Sequence, residues 1–215
     1  MIDKILKSEE RTESKIQRDE KQLRRLHTLV DVVYALIIVR LFMMLPNPEA
    51  SEVVGFDPLA IFTEGGDRFV MLIIGFILVL IYWFQSNKTT GNLVKTDGKH
   101  TVLSLLQLFF LLFYLYSVRL DLVFKSDVLA LFMQSVSLAL AGFMGVLAWI
   151  YATKHADLIS DAVSKQEAKD IKIGILSEPL ASTFTIPFAF ISPLLWNLSW
   201  LSVLVFGWFL KKRSK

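Results

Sequence analysis

Residues 128–152 read VLALFMQSVSLALAGFMGVLAWIYA, a run without one acidic or basic side chain. The hydrocarbon core of a bilayer, about 30 Å thick, takes roughly 20 apolar residues per helix. This run is long enough to cross it. Comparable runs lie at about 28–45, 69–85 and 101–118. The last apolar region is too long for one ordinary helix. Ser192-Pro193 and Asn197 divide it into spans at about 177–192 and 194–210. The expected fold is all-α: a polytopic membrane protein of six transmembrane helices.

Composition agrees with that plan. The chain has 215 residues, 54% of them hydrophobic, with a mean hydropathy of +0.53. Soluble domains are usually nearer 45–50% apolar. Six spans and their loops use almost the whole chain, which leaves a membrane domain over 27–211. Residues 1–26 mix acids and bases without Pro or Gly and read as a charged cytoplasmic helix running into the first span. They lack the apolar core of a signal peptide. A basic tail, 212–215, closes the chain.

The loops set the orientation. Lys and Arg gather in the N-terminal segment, in the Lys88–Lys99 loop and in Lys211-Lys212-Arg213-Lys215. The Pro46–Asp67 loop is nearly all acid: Glu49, Glu52, Asp57, Glu64, Asp67. By the positive-inside rule the basic segments and both termini are cytoplasmic. Residues 161–173 have helical spacing, so an amphipathic cytoplasmic helix is expected there.

Several chemistries are excluded. There is no cysteine, hence no disulfide, thiol nucleophile or thiolate metal site. His27, His100 and His155 lie far apart, and no nucleotide-binding Gly loop or His-Glu-x-x-His zinc motif occurs. No enzyme, metal site or cofactor is expected. Basic segments beside spans suit anionic lipid headgroups, so the bilayer rather than nucleic acid is the expected partner. Acidic residues are nearly absent from the predicted spans, which argues against a transporter that couples through such groups.

The first span carries the sharpest candidate. Leu29, Val32, Leu36, Arg40, Met43 and Asn47 follow i, i+3, i+4, i+7 spacing and share one helical face. Arg40 lies about twelve residues into the span, where burying its charge costs at least about 2.5 kcal/mol. Two readings stay open. Arg40 snorkels to the outer surface past Met43 and Met44, or it lies on a watery axis or beside an acid. If the face lines a symmetric axis, Leu36, Arg40 and Met43 form stacked rings.

These segments resemble the transmembrane protein 175 family of endolysosomal and prokaryotic potassium channels, as a divergent prokaryotic-type member. That family opens its first span with Arg-x-x-x-Phe-Ser-Asp and an aromatic-Ala-Ile run. Here the segment is Arg25-Leu26-His27-Thr28-Leu29-Val30-Asp31, then Tyr34-Ala35-Leu36. The family's second span ends in an aromatic-Trp pair, here Tyr82-Trp83. Its closing hairpin is similar to Ile186-Pro187-Phe188-Ala189-Phe190-Ile191-Ser192-Pro193.

The resemblance implies a homotetramer around the first span, monovalent ions as the conducted species and, for a prokaryotic-type member, the bacterial inner membrane. It places the pore constriction on Leu36, Arg40 and Met43, and makes Arg25, Asp31 and Trp83 motif residues. Leu or Ile is the family's choice at all three constriction positions, so Arg40 departs from the pattern. Three consequences stay open: a ring that favours anions, an Arg40 turned aside to an acid, or a pore held shut. The alternative function is a non-conducting or triggered membrane subunit that recruits a partner, signals or acts in defence.

Overall fold

The computed structural model describes residues 2–45, 66–124, 127–155 and 157–214. The acidic Pro46–Gly65 stretch lies outside them.

The first helix, α1 (Ile2–Phe42), is unbroken. Its sequence holds neither Pro nor Gly, so nothing interrupts the i→i−4 ladder. The charged N-terminal segment and the first span are therefore one element. Helices α2 (Gly66–Thr90), α3 (Gly98–Phe124) and α4 (Val128–Lys154) follow. Asp97 starts α3 by accepting the His100 amide at 2.8 Å. Asp127 starts α4 by accepting the Leu129 amide at 2.8 Å. Each side chain satisfies a backbone N–H that the first turn leaves without a partner.

Helix α5 (Lys165–Thr185) begins at the Ser164 cap, whose hydroxyl accepts from the Glu167 amide. It runs without interruption from the polar 165–176 stretch into the membrane region. A 3₁₀ turn (Ile186–Phe190) continues it. Ser192 is extended, Pro193 opens the short α6 (Pro193–Ser199), and α7 (Ser202–Ser214) completes the chain.

Among the described residues five segments are long and apolar enough to cross a membrane: Phe69–Thr90, Gly98–Phe124, Val128–Lys154, Lys165–Phe190 and Pro193–Lys212. With α1 they make the six-span, all-helical fold of an integral membrane protein. α1 differs from the rest because Arg25, Asp31 and Arg40 interrupt its apolar stretch. Among the described residues the only β feature is an isolated antiparallel bridge, Leu93 to Ile159.

The helices pack closely where side chains are small. A Cβ on Gly142 of α4 would lie 2.8 Å from two Pro179 ring atoms on α5 and 2.9 Å from the Tyr82 hydroxyl on α2. In lipid, where helices gain nothing from hiding apolar surface, such close backbone approach supplies much of the attraction. The core joins α1 (Val30, Tyr34, Ile37, Leu41) to Val79 and Tyr82 of α2 and Leu111 and Tyr114 of α3. It continues to Trp196 and Trp200 near the last break.

Candidate pore-lining site

Tyr34, Ile37 and Leu41 bury one face of α1 against the rest of the chain. The opposite side is apolar yet uncovered. Leu29, Val32, Leu36, Val39 and Met43 are all exposed, with Leu36 at 57% and Met43 at 67%. A helix that is apolar on both sides is buried on both sides. This second face must therefore meet lipid or another chain.

Arg40 is exposed and lies in the last helical turn of α1, two residues before the helix ends at Phe42. The unsatisfied carbonyls of a helix C-terminus favour a cation there. The charge thus sits at the C-terminal end of the helix, and among the described residues no acid pairs with it. At 100° per residue, Arg40 lies about 40° around the helix from Leu36 and Met43 about 20° the other way. The three share a broad face rather than one line.

The motif residues divide. Asp31 and Trp83 come together, with the indole Nε1 donating to Asp31 Oδ1 at 3.4 Å. That bond ties α1 to α2. Arg25 is exposed on the face of α1 that carries Leu29 and Val32 and takes no part in the pair.

Behind the stripe lies a polar network. Glu178 of α5 is only 5% exposed. Its carboxylate accepts from the Gln85 amide on α2 and, at 3.0 Å, from the Ser177 hydroxyl. Beside it the Tyr82 hydroxyl donates to the Leu138 carbonyl at 2.7 Å. Asp121, three residues beyond the span expected at about 101–118, is buried in α3, where it accepts from Gln134 of α4 at 3.0 Å. Two acids thus lie inside helices that cross the membrane region, where the sequence reading expected almost none. Each is compensated by an amide donor from a neighbouring helix, which is what lets a carboxylate stay buried. Ser86, Thr89, Thr90, His100, Ser104 and Gln107 line a small cavity between α2, α3 and α4, with room for about one water.

The α2–α3 and α4–α5 connections clasp each other at one end of the bundle. The Val94 amide donates to the Leu158 carbonyl and the Ser160 amide to the Asn92 carbonyl, both at 3.0 Å. Lys95 Nζ meets Asp157 at 2.7 Å. This pairing lifts the Lys95 ammonium above its ordinary pKa and lowers the Asp157 carboxyl. Burial alone would raise the Asp97 carboxyl. The Tyr151 hydroxyl, donating at 2.6 Å, and the His100 amide outweigh that and hold it below the usual carboxylate range. Leu23 of α1 packs into the clasp with Leu93, Ala152 and Leu158. Both connections and the N-terminal extension therefore share one end of the bundle. Among the described residues no group of His, Asp and Glu could hold a metal ion.

The fold and this site define an all-α, six-span membrane protein whose first helix presents an uncovered apolar face. Residues 25–114, from the first motif residue through α1 and α2 into α3, match the sequence model of the family described as endosomal/lysosomal potassium channel TMEM175. The resemblance seen in Arg25, Asp31 and Tyr82-Trp83 holds over this segment. Among solved structures, the crystal structure of a lysosomal potassium-selective channel TMEM175 homolog from Chamaesiphon minutus is similar, with a TM-score of 0.65. The two are 16% identical, and the match covers 91% of this chain and 99% of that one. At that identity the likeness shows the fold. Nothing among curated proteins matches the chain.

Proposed function

We propose that this protein is an ion channel of the TMEM175 type, in which α1 helices of four copies line the pore. The carrying observation is the uncovered face of α1, Leu29 to Met43, which a ring of copies would bury or hydrate. The segment matched by the potassium-channel family contains that whole face. Both termini and the clasp lie on the cytoplasmic side, where the positive-inside rule puts Lys88, Lys95, Lys99, Lys211 and Lys212.

Leu36 narrows the path in this reading, and Arg40 stands at its outer mouth. A guanidinium 8 Å from a passing cation, at an effective dielectric of 20, repels it by roughly 2 kcal/mol. Four such groups slow cations and favour anions at the mouth.

Flux through liposomes holding the purified protein, under potassium chloride gradients, tests both parts. Wild type passes monovalent ions, and Arg40→Leu raises the ratio of potassium to chloride flux at least tenfold. Absence of flux for every monovalent ion in wild type and variant refutes the channel. Unchanged charge selectivity in Arg40→Leu removes Arg40 from the path.

A further inference from the structure

We infer that the cytoplasmic part of α1 binds multivalent phosphate anions; the inference deepens the pore reading above and rests on it. The sequence places Lys4, Arg11, Arg18 and Arg25 seven residues apart, and the series continues through Val32 and Val39. Seven residues turn an α-helix through 700°, which returns it to within about 20° of the same line. Because α1 is unbroken from Ile2 to Phe42, the line carrying Arg18 and Arg25 is the one that becomes the uncovered apolar face. Arg18, Gln22 and Arg25 are exposed, and among the described residues neither arginine has an ion-pair partner.

The acids of this stretch lie elsewhere. Asp19 is on the side whose charge Lys95 of the clasp senses. Glu20 is about 200° around the helix from Arg18, and Glu13 about 140°. The helix therefore presents cations alone where its membrane part presents Leu29, Val32 and Leu36. Copies arranged around an axis on that apolar face bring their Arg18 and Arg25 side chains toward one another below the pore.

Like charges so placed repel, and an anion carrying several charges relieves the repulsion in one binding event. Arginine's planar fork suits phosphate oxygens, which it can grip with two parallel hydrogen bonds. The source is a soluble phosphate and not a lipid headgroup. Arg25, about 5 Å from Thr28 along the helix, is within reach of headgroups, but Arg18, about 15 Å away, is not, so an anion that engages both is a soluble one. A monovalent anion meets one charge at a time and is held weakly.

Inorganic tripolyphosphate is the probe. It is titrated calorimetrically into the full-length protein in nanodiscs of phosphatidylcholine. Saturable binding is expected, weakening steeply with added salt. The exposed double variant Arg18→Gln/Arg25→Gln weakens it at least tenfold, with elution volume and helical circular dichroism unchanged. Lys212→Gln, which removes the cation packed over Trp208, leaves it intact. No saturable binding, or equal binding by the arginine double variant, overturns the inference. So does complete displacement when phosphatidylglycerol is added to the disc, because the site would then belong to headgroups. Flux measured in parallel separates this inference from the pore. A protein that conducts but does not bind tripolyphosphate loses the phosphate site alone. One that binds it through these arginines but passes no ion keeps the site and loses the pore.

Discussion

Replacing Gly142 by alanine adds one methyl group where three helices meet. The new carbon would lie 2.8 Å from Cβ and Cδ of Pro179 and 2.9 Å from the Tyr82 hydroxyl oxygen. Carbon pairs are most favourable at about 3.5–4.0 Å, so α4 and α5 must separate by several tenths of an ångström. Neither neighbour moves easily. The Pro179 atoms belong to a ring fused to the α5 backbone, and the Tyr82 hydroxyl is committed to the Leu138 carbonyl. Overpacking of this kind costs about 1–3 kcal/mol. Against it stands the gain of about 1 kcal/mol from exchanging Gly for Ala in a helix.

The net expectation is a destabilisation of about 1 kcal/mol, with an upper bound near 2. Gly174, on α5, is the internal control. A Cβ there meets nothing within 4 Å, so Gly174→Ala keeps the propensity gain alone. Thermal unfolding of the detergent-solubilised protein, followed by loss of the monodisperse elution peak, ranks the variants. Gly174→Ala melts at or above wild type and Gly142→Ala below it. If Gly142→Ala matches or exceeds Gly174→Ala, the close approach of α4 to α5 is not the constraint described above.

Further expectations concern polar groups. Glu178→Ala leaves the Gln85 amide without its acceptor, while the Ser177 hydroxyl keeps the Gly174 carbonyl; the cost is about 1–3 kcal/mol, whereas Glu178→Gln keeps an acceptor and loses less. Equal melting temperatures for wild type and Glu178→Ala refute this account. The clasp depends on pH at both extremes. Asp157 titrates below its ordinary value of 3.8, so its contribution is complete above pH 3.8 and disappears as the pH falls through the lower folded value. Lys95 titrates above 10.5, so its contribution is complete below that pH and disappears as the pH rises through the higher folded value. Hydrogen exchange at the Val94 and Ser160 amides is the readout. Protection holds between those limits and falls outside them. Exchange that loosens near neutral pH instead assigns the clasp to other groups.

The span plan was legible because uncharged runs long enough to cross a bilayer have few other uses. The stripe on α1 was legible because its spacing is local to one helix. Glu178 was not. The polar stretch 165–176 precedes it in sequence, and its partner Gln85 is 93 residues away. Nothing local announces that pairing. The burial of Asp121 was illegible for the same reason, since its partner Gln134 lies on the next helix. The clasp joins two loops that look like ordinary charged connections when read separately. Arg40 was placed about twelve residues into a span carried by the apolar run to Leu45, with the outer surface left open as its destination. The structure ends the α-helix at Phe42 and finishes the run in tighter turns, Met44 to Leu41 and Leu45 to Phe42.

The continuity of α1 also has a mechanical side. Leu23, held in the clasp, divides the helix into two arms. Seventeen residues, about 26 Å, separate it from Arg40. Twenty-one residues, about 32 Å, reach the other way to Ile2. A stiff rod gripped near its middle is a lever. A tilt of about 10° about Leu23 carries the Arg40 backbone sideways by about 4 Å and the far end by about 6 Å in the opposite sense. Such a tilt about Leu23 must carry with it the packing of Tyr34, Ile37 and Leu41 and the Asp31–Trp83 bond, so a displacement of the N-terminal arm reaches the far end of α1 only together with α2 and α3.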